Sequence, residues 1–266
     1  MGRPLTYYRL SSKAGFLIIL HVCIWCAGFA QPQTEITLID EAVNAFVDRP
    51  GDLYIQLKNK QLLKFSKEGK LLGECTLKDF PVIFEPRDGS RTFAYYRKRN
   101  LAGFSSFGTE PSSTINEEFV VEPWLACSAG DRGMWILDHA DFSLKRINLI
   151  SQQTEVDFQL PRALQTDTVT MREYQGFLFL QAGQKSLAIF NGFGKLLKKI
   201  TGEQIRFFNF IGEELYYADT DRLHFYDLFD ETQRTENCEP GSRFILLTDE
   251  VRYVVYTNRI TIIRLQ

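Results

Sequence analysis

The residues able to do chemistry in this 266-residue chain are few, and their spacing limits them further. His139 sits in Asp138-His139-Ala140-Asp141, three polar candidate ligands within four residues. The same grouping is what a solvated hairpin turn looks like, because Asp side chains bond nearby backbone N–H groups, and it is read here as a turn. His224, in Leu223-His224-Phe225, alternates with apolar neighbours and reads as a strand side chain. The third histidine, His21, lies in an apolar N-terminal run, so a His-based metal or general-base centre has little material. There is no Gly-x-Ser-x-Gly elbow, phosphate loop or dinucleotide fingerprint, and Ser128 and Ser186 stand in no triad-like relation to a histidine. Asn191-Gly192-Phe193-Gly194-Lys195 is superficially loop-like but lacks the Ser or Thr after lysine and joins two strand-like runs. No catalytic residue, metal ligand or cofactor is therefore assigned.

Arg3, Arg9 and Lys13 precede an apolar run, Ala14 to Ala30, that ends in Gly28-Phe29-Ala30. This is the layout of a secretory signal peptide covering 1–30 and cut after Ala30, which puts the mature domain, 31–266, in the periplasm or outside the cell. An uncleaved membrane anchor is the rival reading, since the run sits at the short limit for a span. Removal of 1–30 leaves 28 basic against 33 acidic side chains, a charge of −5, which argues against a nucleic-acid partner. Cys75, Cys127 and Cys238 remain, widely spaced and odd in number. They build no disulfide framework or zinc set and read as buried free thiols on strands, with one bridge between two of them as the alternative.

The elements that must position any site are strands. Short β-branched and aromatic runs recur along the chain, whereas helical periodicity is scarce, so the class is all-β. Phe65-Ser66-Lys67-Glu68-Gly69-Lys70-Leu71-Leu72 and Phe190-Asn191-Gly192-Phe193-Gly194-Lys195-Leu196-Leu197 share Phe, Gly, Lys, Leu and Leu in register, 125 residues apart. Leu63, Leu101, Leu144, Leu187, Leu223 and Ile260, one from the third strand of each repeat, are spaced by 38, 43, 43, 36 and 37 residues. That is the period of a four-stranded propeller blade. Five units carry four strands, the second with a poor last one near Ser113 to Asn116, and the sixth stops after three. Thr34 to Ile39 is a strand with no place in blade one, so it is expected to close the last blade and cover its edge.

On the Phe65 to Leu72 and Phe190 to Leu197 segments and the recurring strand sets of 34–266, the chain resembles bacterial six-bladed β-propellers of the NHL and TolB-like group, in the style of secreted Bacteroidota-type proteins. Ser66 and Asn191 stand where the NHL aspartate is expected, and no Trp-Asp pair repeats. The resemblance implies a single propeller domain with a tendency to bind and no particular activity. Some propellers of this shape are metal-dependent lactonases or hydrolases, and Asp48, Glu85, Glu173 and Asn209 on the innermost strands would suit a hard cation, which makes such an enzyme the alternative function. The loops between second and third strands are expected to lie on one face. They are basic in blades six, one and two and acidic in three and five. Lys58, Lys60, Arg97, Lys98 and Arg99 are the binding residues this pattern nominates for an anionic partner. The leading expectation is a non-enzymatic interaction or scaffold module of the bacterial envelope, with a protein partner through which any outer-membrane association would run.

Overall fold

The computed structural model describes residues 33–130, 132–165 and 167–265. The signal peptide expected over 1–30 lies outside them. Among the described residues no helix is long and apolar enough to cross a membrane. Six antiparallel sheets form a six-bladed β-propeller. The first strands of the blades, Ala42–Val47, Ile83–Pro86, Pro123–Ala129, Thr168–Tyr174, Phe207–Ile211 and Phe244–Leu247, touch one another around the axis. The last strands, such as Leu71–Thr76 and Leu196–Thr201, alternate exposed with half-buried residues and face solvent on one side. The expected closure is present: Gln33–Thr37 pairs antiparallel with Arg259–Arg264 in the register Ile36 to Ile260, as the outermost strand of blade six.

Neighbouring blades are held by an aromatic residue on each second strand, a feature of the core that periodicity alone does not reveal. Tyr95 Oη donates to the Pro123 carbonyl at 2.5 Å, Trp135 Nε1 to Glu173 at 2.9 Å, and Tyr253 Oη to the Gly51 carbonyl at 2.6 Å. Tyr216 Oη accepts the Leu247 N–H at 3.0 Å. Where the aromatic has no such bond to the next blade it packs: Phe179 lies 4.6 Å from Phe210, and Tyr54 lies 6.1 Å from Phe84. Each side chain fills the wedge between two sheets with its ring, and four also satisfy a polar group there.

The two repeated segments occupy the same turn in blades one and four. Ser66 Oγ accepts from the Glu68 and Lys70 N–H groups, and Asn191 Oδ1 from those of Phe193 and Lys195. Gly69 and Gly194 follow with φ of 85° and 84°, where a Cβ is strained. A Cβ would also meet the previous blade, Ile262 and Ile36 at 3.1 Å for Gly69 and the Phe158 ring at 2.2 Å for Gly194. The repeat therefore marks where an outer turn leans on its neighbour.

Blade two departs from expectation. Its sheet has three strands, and the segment read as a fourth is reduced to one bridge between Leu101 and Thr114. Gly103 at φ 142° and Pro111 beside it interrupt the pairing, and Phe107 turns inward to pack 5.9 Å from Tyr54. All three described cysteines are free; only Cys127 is buried, and Cys238 lies just past the strand Gln233–Asn237.

Candidate functional site

The loops between second and third strands do share one face, and the nominated cations fall there with different fates. Arg99 is a structural clamp: its two terminal nitrogens donate to the two Glu110 oxygens at 2.7 Å each, with Asp79 at 3.5 Å. Arg97 donates from Nε to the Trp124 carbonyl at 2.6 Å and lies 3.7 Å over the Trp124 ring, and burial pulls its guanidinium below its ordinary value. Lys58 is held by Glu41 at 3.0 Å, and Lys60 donates to the Lys78 carbonyl at 2.8 Å. Lys98 is exposed and makes no polar contact among the described residues. Lys60, Arg97, Lys98 and Arg99 line one concavity of about 350 Å³ together with Asp79 and the exposed Phe80 and Val82; Lys58 stands outside it.

The acidic half of that face is quieter than the sequence implies. Asp138-His139-Ala140-Asp141 is a turn as read, with Ala140 and Asp141 exposed, but Asp138 itself is 1% exposed. Burial pushes the Asp138 carboxyl up, yet the N–H groups of Val121, Glu122 and Ala140 and the Lys145 ammonium outweigh it and leave it below its ordinary value. His139 stacks on Trp124 at 4.6 Å. His224 lies on a strand as read, stacked on Tyr217 at 4.8 Å, with Nε2 2.6 Å from Asp219 Oδ2.

On the opposite face the six turns between first and second strands converge on the axis and enclose a cavity of about 540 Å³. Every blade contributes, from Asp48 and Arg49 in blade one to Asp249 in blade six. A second cavity of about 340 Å³ opens at the other end, and Arg172 and Asn209 line both, which places them midway along the channel.

The four acidic and amide positions read as a cation set do not share one centre. Asp48 accepts from the Gly51 and Asp52 N–H groups and the Tyr54 hydroxyl, Glu173 from the Trp135 indole, and Asn209 Oδ1 from Arg172 Nη1 at 2.6 Å. Glu85 lies in the second cavity, where Oε2 accepts from Ser128 Oγ at 2.6 Å and Oε1 is buried without a partner. Burial pushes both glutamates up from the ordinary carboxyl value, against Arg172 for Glu85 and the Trp135 N–H for Glu173. Among the described residues no group of three His, Cys, Asp or Glu is placed to hold a metal ion.

The channel residues that sequence reasoning missed are arginines. Arg49, Arg87 and Arg172 line the larger cavity. A signal existed: Asp48-Arg49, Glu85-Pro86-Arg87 and Arg172-Glu173 set an acid beside an arginine near the end of three inner strands.

No family model and no curated protein sequence matches the chain. Among solved structures, it is similar to virginiamycin B lyase from Staphylococcus aureus with a TM-score of 0.59 and 11% identity, over 88% of this chain and 99% of that one. The WD40 domain of Pan2 from Neurospora crassa gives 0.54 at 10% identity, over 82% and 73%. A streptogramin B lyase gives 0.51 at 14% identity, over 84% and 78%. At such identities the likeness is one of fold, and these folds carry unlike functions.

Proposed function

With a six-bladed propeller as the premise, we propose that the protein is an exported, non-enzymatic interaction module of the bacterial envelope that docks an acidic segment of a protein partner. The observation that carries this reading is the concavity between blades one and two, which exposed Lys98 lines with Lys60, Arg97, Phe80 and Val82. Apolar side chains and an excess of cations over the single acid Asp79 in one concavity suit a peptide with an apolar anchor flanked by carboxylates. Lys98 is the residue to change, because it alone of the five nominated cations is uncommitted, whereas loss of Arg99 would leave Glu110 without its bidentate partner.

The test is capture of the native partner from envelope extracts, identified by mass spectrometry. Lys98→Glu should weaken capture by about tenfold at low salt and leave the melting temperature unchanged. Arg99→Ser should lower the melting temperature as well. Equal capture by wild type and Lys98→Glu would remove this face from consideration.

A further inference from the structure

The channel mouth opposite that face carries an independent feature. Arg49, Arg87 and Arg172 come from blades one, two and four and meet at one cavity of about 540 Å³. None of the three guanidinium groups is ion-paired among the described residues, in contrast to Arg99, Arg234 and Arg252, each locked to a carboxylate. Arg87 has a buried Nε with no hydrogen-bond partner, and Arg172 spends one nitrogen on the neutral Asn209 oxygen. Three acids, Asp48, Glu173 and Asp249, line the same cavity, and Arg172 and Arg87 act on the Glu85 and Glu173 carboxyls through space with no direct ion pair. The Asp48 carboxylate is fully buried and saturated by two backbone N–H groups and Tyr54, with Lys64 at 3.9 Å; Glu173 is bonded to Trp135; Asp249 lies on the exposed turn of blade six; and Glu85 opens to the other cavity.

At this concave mouth the three guanidinium groups keep donors that no carboxylate fills, and a bound anion would fill them. Guanidinium forks match carboxylate and phosphate oxygens bidentately. The cavity is of the size that holds a small organic ligand and exceeds what a bare oxyanion fills. We propose that this mouth is a binding site for a small organic anion, with Arg49, Arg87 and Arg172 gripping a carboxylate or phosphate group. Asn209 sets the Arg172 fork, and Arg49, at the exposed rim, captures the ligand first.

The site is tested by calorimetric titration of the whole protein at low ionic strength with two probes, inorganic phosphate and citrate. Wild type should bind at least one at millimolar concentration, and binding should weaken as salt rises. Phosphate alone would assign a phosphate group, citrate alone a carboxylate. Arg87→Gln and Arg49→Gln should each weaken binding by about tenfold or more, the loss of one charge-assisted contact, with the melting temperature as a control on folding. Lys98→Ser, on the other face, should bind as wild type does, so failure here is separable from failure of the docking face. No heat with either probe, or unchanged affinity in both Arg49→Gln and Arg87→Gln, would overturn the site.

Discussion

At the scale of single residues, Glu85 is the most exposed to question, being 4% accessible with one oxygen bonded to Ser128 and the other to nothing. Burial raises its carboxyl in the folded state above the ordinary 4.5. A carboxyl raised in this way binds more protons folded than unfolded, so its contribution to stability is fully present below the unfolded value and is lost as pH rises through the folded one. Glu85→Gln removes that dependence and keeps an oxygen for the Ser128 hydroxyl. The melting temperature of Glu85→Gln minus that of wild type should therefore grow as pH is raised from 4.5 towards neutrality. A flat difference would mean that Glu85 stays ionised in the fold. Gly194 is a second single-residue dependence: Gly194→Ala combines a left-handed φ with a clash on Phe158 and should cost about 1–3 kcal/mol by denaturant melting.

Among elements, ring closure carries the sharpest dependence. Gln33–Thr37 supplies the fourth strand of blade six, and its Ile36 packs over Gly69 of blade one, so one short segment both completes a sheet and bridges the seam. Deleting residues 31–40 exposes the Arg259–Arg264 edge and should cost about 3–5 kcal/mol, roughly a 10 °C fall in melting temperature. Calorimetry that shows an unchanged melt would discard this closure. Tyr253 crosses the same seam to Gly51, and Tyr253→Phe should cost about 1 kcal/mol, the net value of one hydrogen bond. The missing fourth strand of blade two belongs to this scale as well. Around Gly103 and Pro111 the segment 107–122 keeps only the Leu101–Thr114 bridge to the sheet, and Glu110 in that excursion is what ties down Arg99.

For the whole molecule, alternation of strand direction sends each blade's turns to two opposite faces, and the cations divide between them: Lys98 and its neighbours on one, Arg49, Arg87 and Arg172 at the channel mouth on the other. Two binding functions can then coexist without sharing a residue. Lys98→Glu should weaken partner capture and spare anion binding, and Arg87→Gln should do the reverse. A variant of either kind that disables both, with its melt intact, would show that the faces are coupled.

The strand runs, the six-fold period, the turn at Gly69 and Gly194 and the strand that closes the ring were all legible in the chain, because alternation, turn chemistry and repeat spacing are properties of neighbouring residues. So were the basic loops. Which of their charges remain available was not legible, because each is settled by a partner outside its own loop: Arg99 by Glu110, Arg97 by Trp124, Lys58 by Glu41. The arginine mouth lay further out of reach. Arg49, Arg87 and Arg172 share no local pattern strong enough to group them, and only the closing of six sheets about an axis brings the ends of three distant strands to one cavity. Local physics decides what each segment becomes; the ring decides which charges meet.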